Sequence, residues 1–173
     1  GGGTPDWTYE NWILQKGLGG GCLLDMHIHD VDMVNWLFGL PKQVSAMGKN
    51  VIPGSGYDII SAHYRYDDGK IVYTRGDWTL NIGFRMSYEV DFELATLVFQ
   101  NSKVTVHPRD GEPFQPELPD ETGHLREIRA FIQAVQRNEP VPEASGEVVI
   151  DTIRIAKAEE QSADRQGEWI TVA

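Results

Sequence analysis

The sequence predicts an α+β fold: a large, predominantly antiparallel (mixed) sheet with helices on one face. Three observations carry this. Residues 22–38, CLLDMHIHDVDMVNWLF, run without Gly or Pro for a helical length. Several short stretches rich in β-branched and aromatic residues then follow one another between 43 and 107. Two further helix-period stretches and a last short strand close the chain. Elements grouped by type in this way differ from the alternating pattern of a doubly wound α/β protein.

The borders of the first helix agree with its length. Gly19–Gly21 precede it, Gly being an acceptable N-cap, and Gly39 with Pro41 stops it. Apolar residues lie all round it (Leu23, Leu24, Met26, Ile28, Val31, Val34, Leu37), which predicts a buried helix. The strands are read in QVSAMGKNVI, YDIISAHYRY, KIVYTRGDWTL, RMSYEVDFEL, ATLVFQ and KVTVH. Asp67-Asp68-Gly69 and Asn101-Ser102-Lys103 mark hairpin turns between them. Residues 108–123 are Pro-rich and acidic and read as a loop. In the helix of 124–138, Leu125, Ile128, Phe131, Ile132 and Val135 fall at helical spacing. In that of 146–167 the stripe is Val149, Ile153, Ile155 and Ala156, and 168–172 is the final strand.

Bulk composition excludes several classes. A chain of 173 residues is long enough for one domain with a core. A net charge of −11 argues against nucleic acid or an anionic membrane as partner. No apolar run approaches the ~18 residues of a membrane span, and the opening GGGTPDWTYENW is no signal peptide. Cys22 is the only cysteine, so no internal disulfide or thiolate cluster forms, which suits a cytoplasmic location. The absent initiator Met points to an excised domain or a processed fragment.

GGGCLLDMHIHD (19–30) holds the densest chemistry. At about 100° per residue, Asp25 and His29 share a helix face, Asp32 extends that stripe, and His27 points away. A carboxylate one turn from a histidine can orient the ring and stabilise its protonated form. The same spacing also suits a structural pair in the core. On a strand, Asp25, His27 and His29 would instead line up. LLDMHIH then resembles the first metal-binding strand of amidohydrolases, which would make the protein a metal-dependent hydrolase. That family needs a barrel of ~250 residues with further ligands on later strands, and only His63, His107 and His124 remain here. No metal site is therefore expected.

The longer stretch GGGCLLDMHIHDVDMVNWLFGLP closely resembles the helix that opens the C-terminal domain of the glucose–fructose oxidoreductase/inositol dehydrogenase (Gfo/Idh/MocA) family. The shared pattern is Gly19–Gly21, Leu23, Leu24, Asp25, His29, Asp32, Trp36, Leu37, Gly39 and Pro41. The tail from His124 looks like the family's closing helices and last strand. The resemblance implies a dihydrodipicolinate-reductase-like fold, with residues 1–173 as one substrate-binding and oligomerisation domain. It further implies that NAD or NADP is bound mainly by an N-terminal Rossmann domain absent from this chain, along with that domain's Glu-Lys-Pro lysine. The chain alone is then expected to be inactive. The implied reaction is hydride transfer between a nicotinamide and a sugar, polyol or related hydroxyl compound. His29 would be the catalytic histidine and Asp25 the residue that orients it. His27 and Asp32 are weaker candidates for substrate contact, and His27 reads first as a satisfied core histidine. Gly20 and Gly21 are candidates for close approach by the cofactor.

Other residues carry less. His63, Asp77 and Trp78 are expected at solvated or oligomer-facing sheet positions. Trp7, Tyr9 and Trp12 suit either stacking on a ligand or covering the domain edge. Arg126 and Arg129 read as surface, and 117–121 as a solvated acidic loop. The sheet is aromatic (Tyr64, Tyr66, Tyr73, Trp78, Phe84, Tyr88, Phe92) and the helices are too few to cover both its faces, which predicts a homo-oligomer. A non-catalytic assembly domain of the same fold is the remaining alternative.

Overall fold

The computed structural model describes residues 5, 7–141 and 146–173. In chain order these form a 3₁₀ segment (Tyr9–Leu14), a π-helical turn (Leu23–His27), α1 (Ile28–Phe38), β1 (Gln43–Lys49), β2 (Ile59–Arg65), β3 (Ile71–Asp77), β4 (Tyr88–Asp91), β5 (Ala95–Gln100), β6 (Lys103–Pro108), α2 (Gly123–Arg137), α3 (Gly146–Asp164) and β7 (Ile170–Thr171). The fold is α+β, with every described strand pair antiparallel. The chain divides into two compact units, Gly1–Gly83 with Glu143–Ala173, and Phe84–Pro142.

The strands fall into two sheets rather than one, ordered β3-β2-β1-β7 and β4-β5-β6. The break follows β3. The Asp77 carboxylate there accepts from both the backbone N–H and the hydroxyl of Thr79, which turns the chain out of the sheet. Burial pulls the Asp77 carboxyl up, but the hydrogen bonds from Thr79 and Arg75 outweigh it and hold it below the usual range.

In the first unit alternate sheet residues face inward: Val44 and Ala46 on β1, Ile60, Ala62 and Tyr64 on β2, Thr74 on β3. They pack with Leu23, Val31, Val34, Ile155 and Ala158 of the π turn, α1 and α3. Period-2 alternation over antiparallel strands makes this pattern, one face dry and one wet. Tyr64, Tyr66 and Trp78 therefore lie in the interior, while Tyr73 points outward. Trp78 was expected at the surface but donates its indole N–H to the fully buried Asp58 at 2.9 Å. The other Asp58 oxygen accepts from the backbone of Val51 and Ile52, which satisfies the buried carboxylate.

Two helical expectations need correction. The run 22–38 is helical but begins as a π turn, and it is not buried all round, because Trp36 and Leu37 are exposed. On α3, Val149 and Ile153 are exposed, and the buried stripe is Thr152, Ile155, Ala156, Glu159 and Ser162. Its polar members find partners across the domain, although one oxygen of Glu159 accepts no hydrogen bond. Ser162, for instance, accepts from Ala46 N–H and donates to the Glu168 carbonyl.

In the second unit β4, β5 and β6 form a meander. Asn101 and Ser102 both take left-handed φ, 51° and 61°, as a two-residue type I′ hairpin turn requires. Thr122 caps α2 by accepting from Leu125 N–H, and left-handed Asn138 ends it. The stripe of α2 is present as read, with all five of its apolar residues exposed.

Candidate active site

The helix start is held by backbone-to-backbone packing. Gly20 and Gly21 take φ of 78° and 79°, which disfavours any side chain. A Cβ on Gly21 would lie 2.8 Å from the Gly56 backbone, and one on Gly56 would lie 1.9 Å from Gly20 O. Leu23 N–H then donates to Tyr57 O at 3.2 Å. The close approach made by these glycines is thus to residues 56–57 of the same chain, and both glycines are buried.

The helix that follows opens with i→i+5 winding, a local form that recurs at functional sites. Because the π turn takes more residues per revolution than an α-helix, Asp25, His27 and His29 are rotated from their ideal α positions. Asp25 is half-buried and His29 exposed. Burial raises the Asp25 carboxyl above the usual range, and the charge of His29 opposes that rise. The two side chains are therefore coupled through space, without a hydrogen bond among the described residues. Asp32 is exposed at one oxygen's reach from α3, accepting from Thr152 Oγ1 at 2.6 Å. The structure therefore places Asp25, His29 and Asp32 on the accessible part of the helix.

His27 goes the other way, into the core, with no exposed surface. Nδ1 lies 3.3 Å from Asp30 Oδ2. Nε2 lies 3.3 Å from Thr74 Oγ1 and 3.4 Å from Oε2 of the fully buried Glu159. Alignment does not make the last contact a hydrogen bond, so it is an ion-pair distance only. Tyr64 bridges the group, 2.9 Å from Thr74 Oγ1 and donating to Glu159 Oε1. Burial pulls the imidazole down, but the hydrogen bond to Asp30 and the nearby charges of Glu159 and Asp30 outweigh it and push His27 up to about 9. Burial, with Glu159 next, raises the Tyr64 phenol. Gly76 makes this seat possible, since a Cβ there would sit 2.7 Å from His27 Cβ. The surroundings are those of a satisfied core histidine.

The sequence reading missed Glu159, Thr74, Tyr64 and Asp30. One signal was available. Glu159 sits at i+4 from Ile155 on the buried stripe of α3, and a charge there requires a partner. Elsewhere, Asp77 is buried and His63 is exposed beside Tyr73, their ring centroids 6.0 Å apart. Trp7, Tyr9 and Trp12 are exposed ahead of the glycines. The strand needed for an Asp-x-His-x-His metal motif is replaced by helix. No group of three His, Cys, Asp or Glu side chains able to hold a metal occurs among the described residues. No helix is long and apolar enough to cross a membrane.

A dinucleotide cofactor is bound by a glycine-rich turn between strand and helix of a parallel sheet. The described residues do not fit that group: their sheets are antiparallel, and Gly20 and Gly21 are packed against Gly56.

The GFO/IDH/MocA C-terminal domain model matches residues 2–98, more than half of the chain. The chain belongs to this family. Among solved structures, it is similar to levoglucosan dehydrogenase in complex with NADH and levoglucosan, at 19% identity and TM-score 0.77, over 93% of this chain and 53% of that one. An NAD binding oxidoreductase from Klebsiella pneumoniae matches at 17% identity and TM-score 0.78, over 98% and 55%. UDP-N-acetylglucosamine 3-dehydrogenase from Acidithiobacillus ferrooxidans matches at 18% and 0.72, over 83% and 47%. The chain spans about half the length of these proteins. No curated protein matches it.

Proposed function

We propose that this chain is the substrate-binding and proton-transfer half of an NAD(P)-dependent dehydrogenase acting on a sugar, polyol or related hydroxyl compound. The observation that carries the reading is a half-buried Asp25 carboxylate one helical turn before the exposed His29 imidazole, on the opening helix of a domain of this family. The similarity to levoglucosan dehydrogenase in complex with NADH and levoglucosan, and to UDP-N-acetylglucosamine 3-dehydrogenase, supports the same class.

A nicotinamide held by a cofactor-binding half would supply the hydride acceptor. This chain's task is the proton. His29, reaching solvent, takes the hydroxyl proton as the carbon is oxidised, and Asp25 stabilises the resulting imidazolium across the helix turn. The raised Asp25 carboxyl is sensitive to that charge, because an ionised His29 is the influence that draws it back down. Asp32, exposed on the same stripe and fixed by Thr152, is placed to meet a substrate hydroxyl. Gly20 and Gly21 serve the site indirectly, by fixing where the helix begins.

The test uses the protein that joins this chain to its cofactor-binding half. His29→Ala is expected to lower kcat by about 10²–10⁴-fold, the usual worth of a positioned acid–base group. Asp25→Asn is expected to fall within the same range. Parent-like turnover by both variants would remove the reading and leave a non-catalytic assembly domain.

A further inference from the structure

His27 is the member of the helix-opening cluster that proton transfer leaves unused, yet every element packed on it supplies a polar group. Asp30 comes from its own helix, Thr74 from β3, Tyr64 from β2 through Thr74, and Glu159 from α3. The hydrogens of this cluster can be counted. Tyr64 donates to Glu159 Oε1, so toward Thr74 it can only accept. The Thr74 hydroxyl hydrogen is thereby committed to Tyr64, and Thr74 can only accept from His27 Nε2. An ionised Asp30 can only accept from Nδ1. Both ring nitrogens then carry hydrogen. The ring also occupies the space that Gly76 leaves free, and it stands at the last residue of the π turn.

We infer that His27 is a positioning residue: held as an imidazolium between Asp30 and Glu159, it pins the end of the π turn to β3 and α3 and so fixes the placement of Asp25 and His29. The inference rests on the reading of those two residues as the proton-transfer pair. A merely space-filling histidine would be neutral, with the chain of hydrogens running the other way from a protonated Glu159.

Nitrogen NMR of the imidazole rings in this chain decides the charge. His27 is expected to show two ring N–H groups at about pH 7.5, where an ordinary histidine is mostly neutral. A single ring proton there overturns the inference. The positioning is read in the protein joined to its cofactor-binding half. Glu159→Gln removes the charge at nearly constant volume. It is expected to lower kcat about tenfold, with KM for the hydroxyl substrate within about twofold and a displaced pH profile of kcat. Asp30→Asn, at the partly exposed end, is expected to act in the same direction and serves if Glu159→Gln does not fold. Unchanged kcat and pH profile in these variants, beside inactive Asp25→Asn and His29→Ala, overturns the positioning. Fully active Asp25→Asn and His29→Ala would instead remove the proton-transfer reading, and the positioning with it, while the ring NMR still decides the charge of His27.

Discussion

At the scale of single residues, the same helix supports two histidines with opposite fates. His29 is solvated and chemically available, and His27 is sealed among carboxylates. The sealed one ties folding to pH. Its proton is held up to about pH 9 in the folded chain and only to about 6.5 in the unfolded one. The folded state therefore binds the extra proton between those limits. Its contribution is fully present below about pH 6.5, declines above it, and is lost as pH rises through about 9, amounting to on the order of 3 kcal/mol. Urea midpoints measured from pH 6 to pH 9.5 are expected to fall across that window, and His27→Gln is expected to flatten the fall. A parent whose midpoint rises over this window would contradict the charge assignment. Asp25 acts in the same direction at lower pH, since a carboxyl raised by burial costs stability as rising pH ionises it.

At the scale of elements, the opening of the helix depends on backbone contact rather than side chains. Gly56→Ala would drive a Cβ against Gly20 O, a backbone atom that cannot swing aside. A loss of about 3 kcal/mol or more is expected, measurable as a lower thermal midpoint, against about 1 kcal/mol for the cap variant Thr122→Ala. The sequence announced the glycine run but not its partner, because Gly56 lies some thirty-five residues downstream in an unremarkable loop. Strand positions and hairpins were legible, since β-branched alternation and the Asp-Asp-Gly and Asn-Ser turns are local signals. The break after β3 was not, because it depends on the Asp77 side chain capping Thr79. Helix spacing placed His27 away from Asp25 and His29, and the structure buries it. The π winding and the buried Glu159 were not legible. A charged residue reads as surface until the element facing it is known.

At the scale of the whole molecule, the first sheet has one face covered by α1 and α3 and one that is open. The open face carries Met47, Ile71 and Tyr73 among polar neighbours, with Ile71 92% and Tyr73 67% exposed. Its cations are partly occupied: Arg65 stacks on Trp169 at 4.2 Å, and Arg75 pairs with Asp77. A face that carries exposed apolar residues on its edge strand β3 beside polar ones on β2 resembles an association interface rather than a domain core. We propose that two copies meet through it about a two-fold axis, each presenting the same strands to the other. The net charge of −11 on each copy opposes association at a distance, so added salt should strengthen it. Sedimentation equilibrium at micromolar concentration is expected to give a dimer or a larger even assembly. Tyr73→Asp, which sets a carboxylate among the exposed apolar residues of β3, is expected to weaken association by about tenfold or more. The exposed stripe of α2 provides the control. If Ile128→Glu dissociates the assembly and Tyr73→Asp does not, the copies meet through α2 and the open sheet face is free.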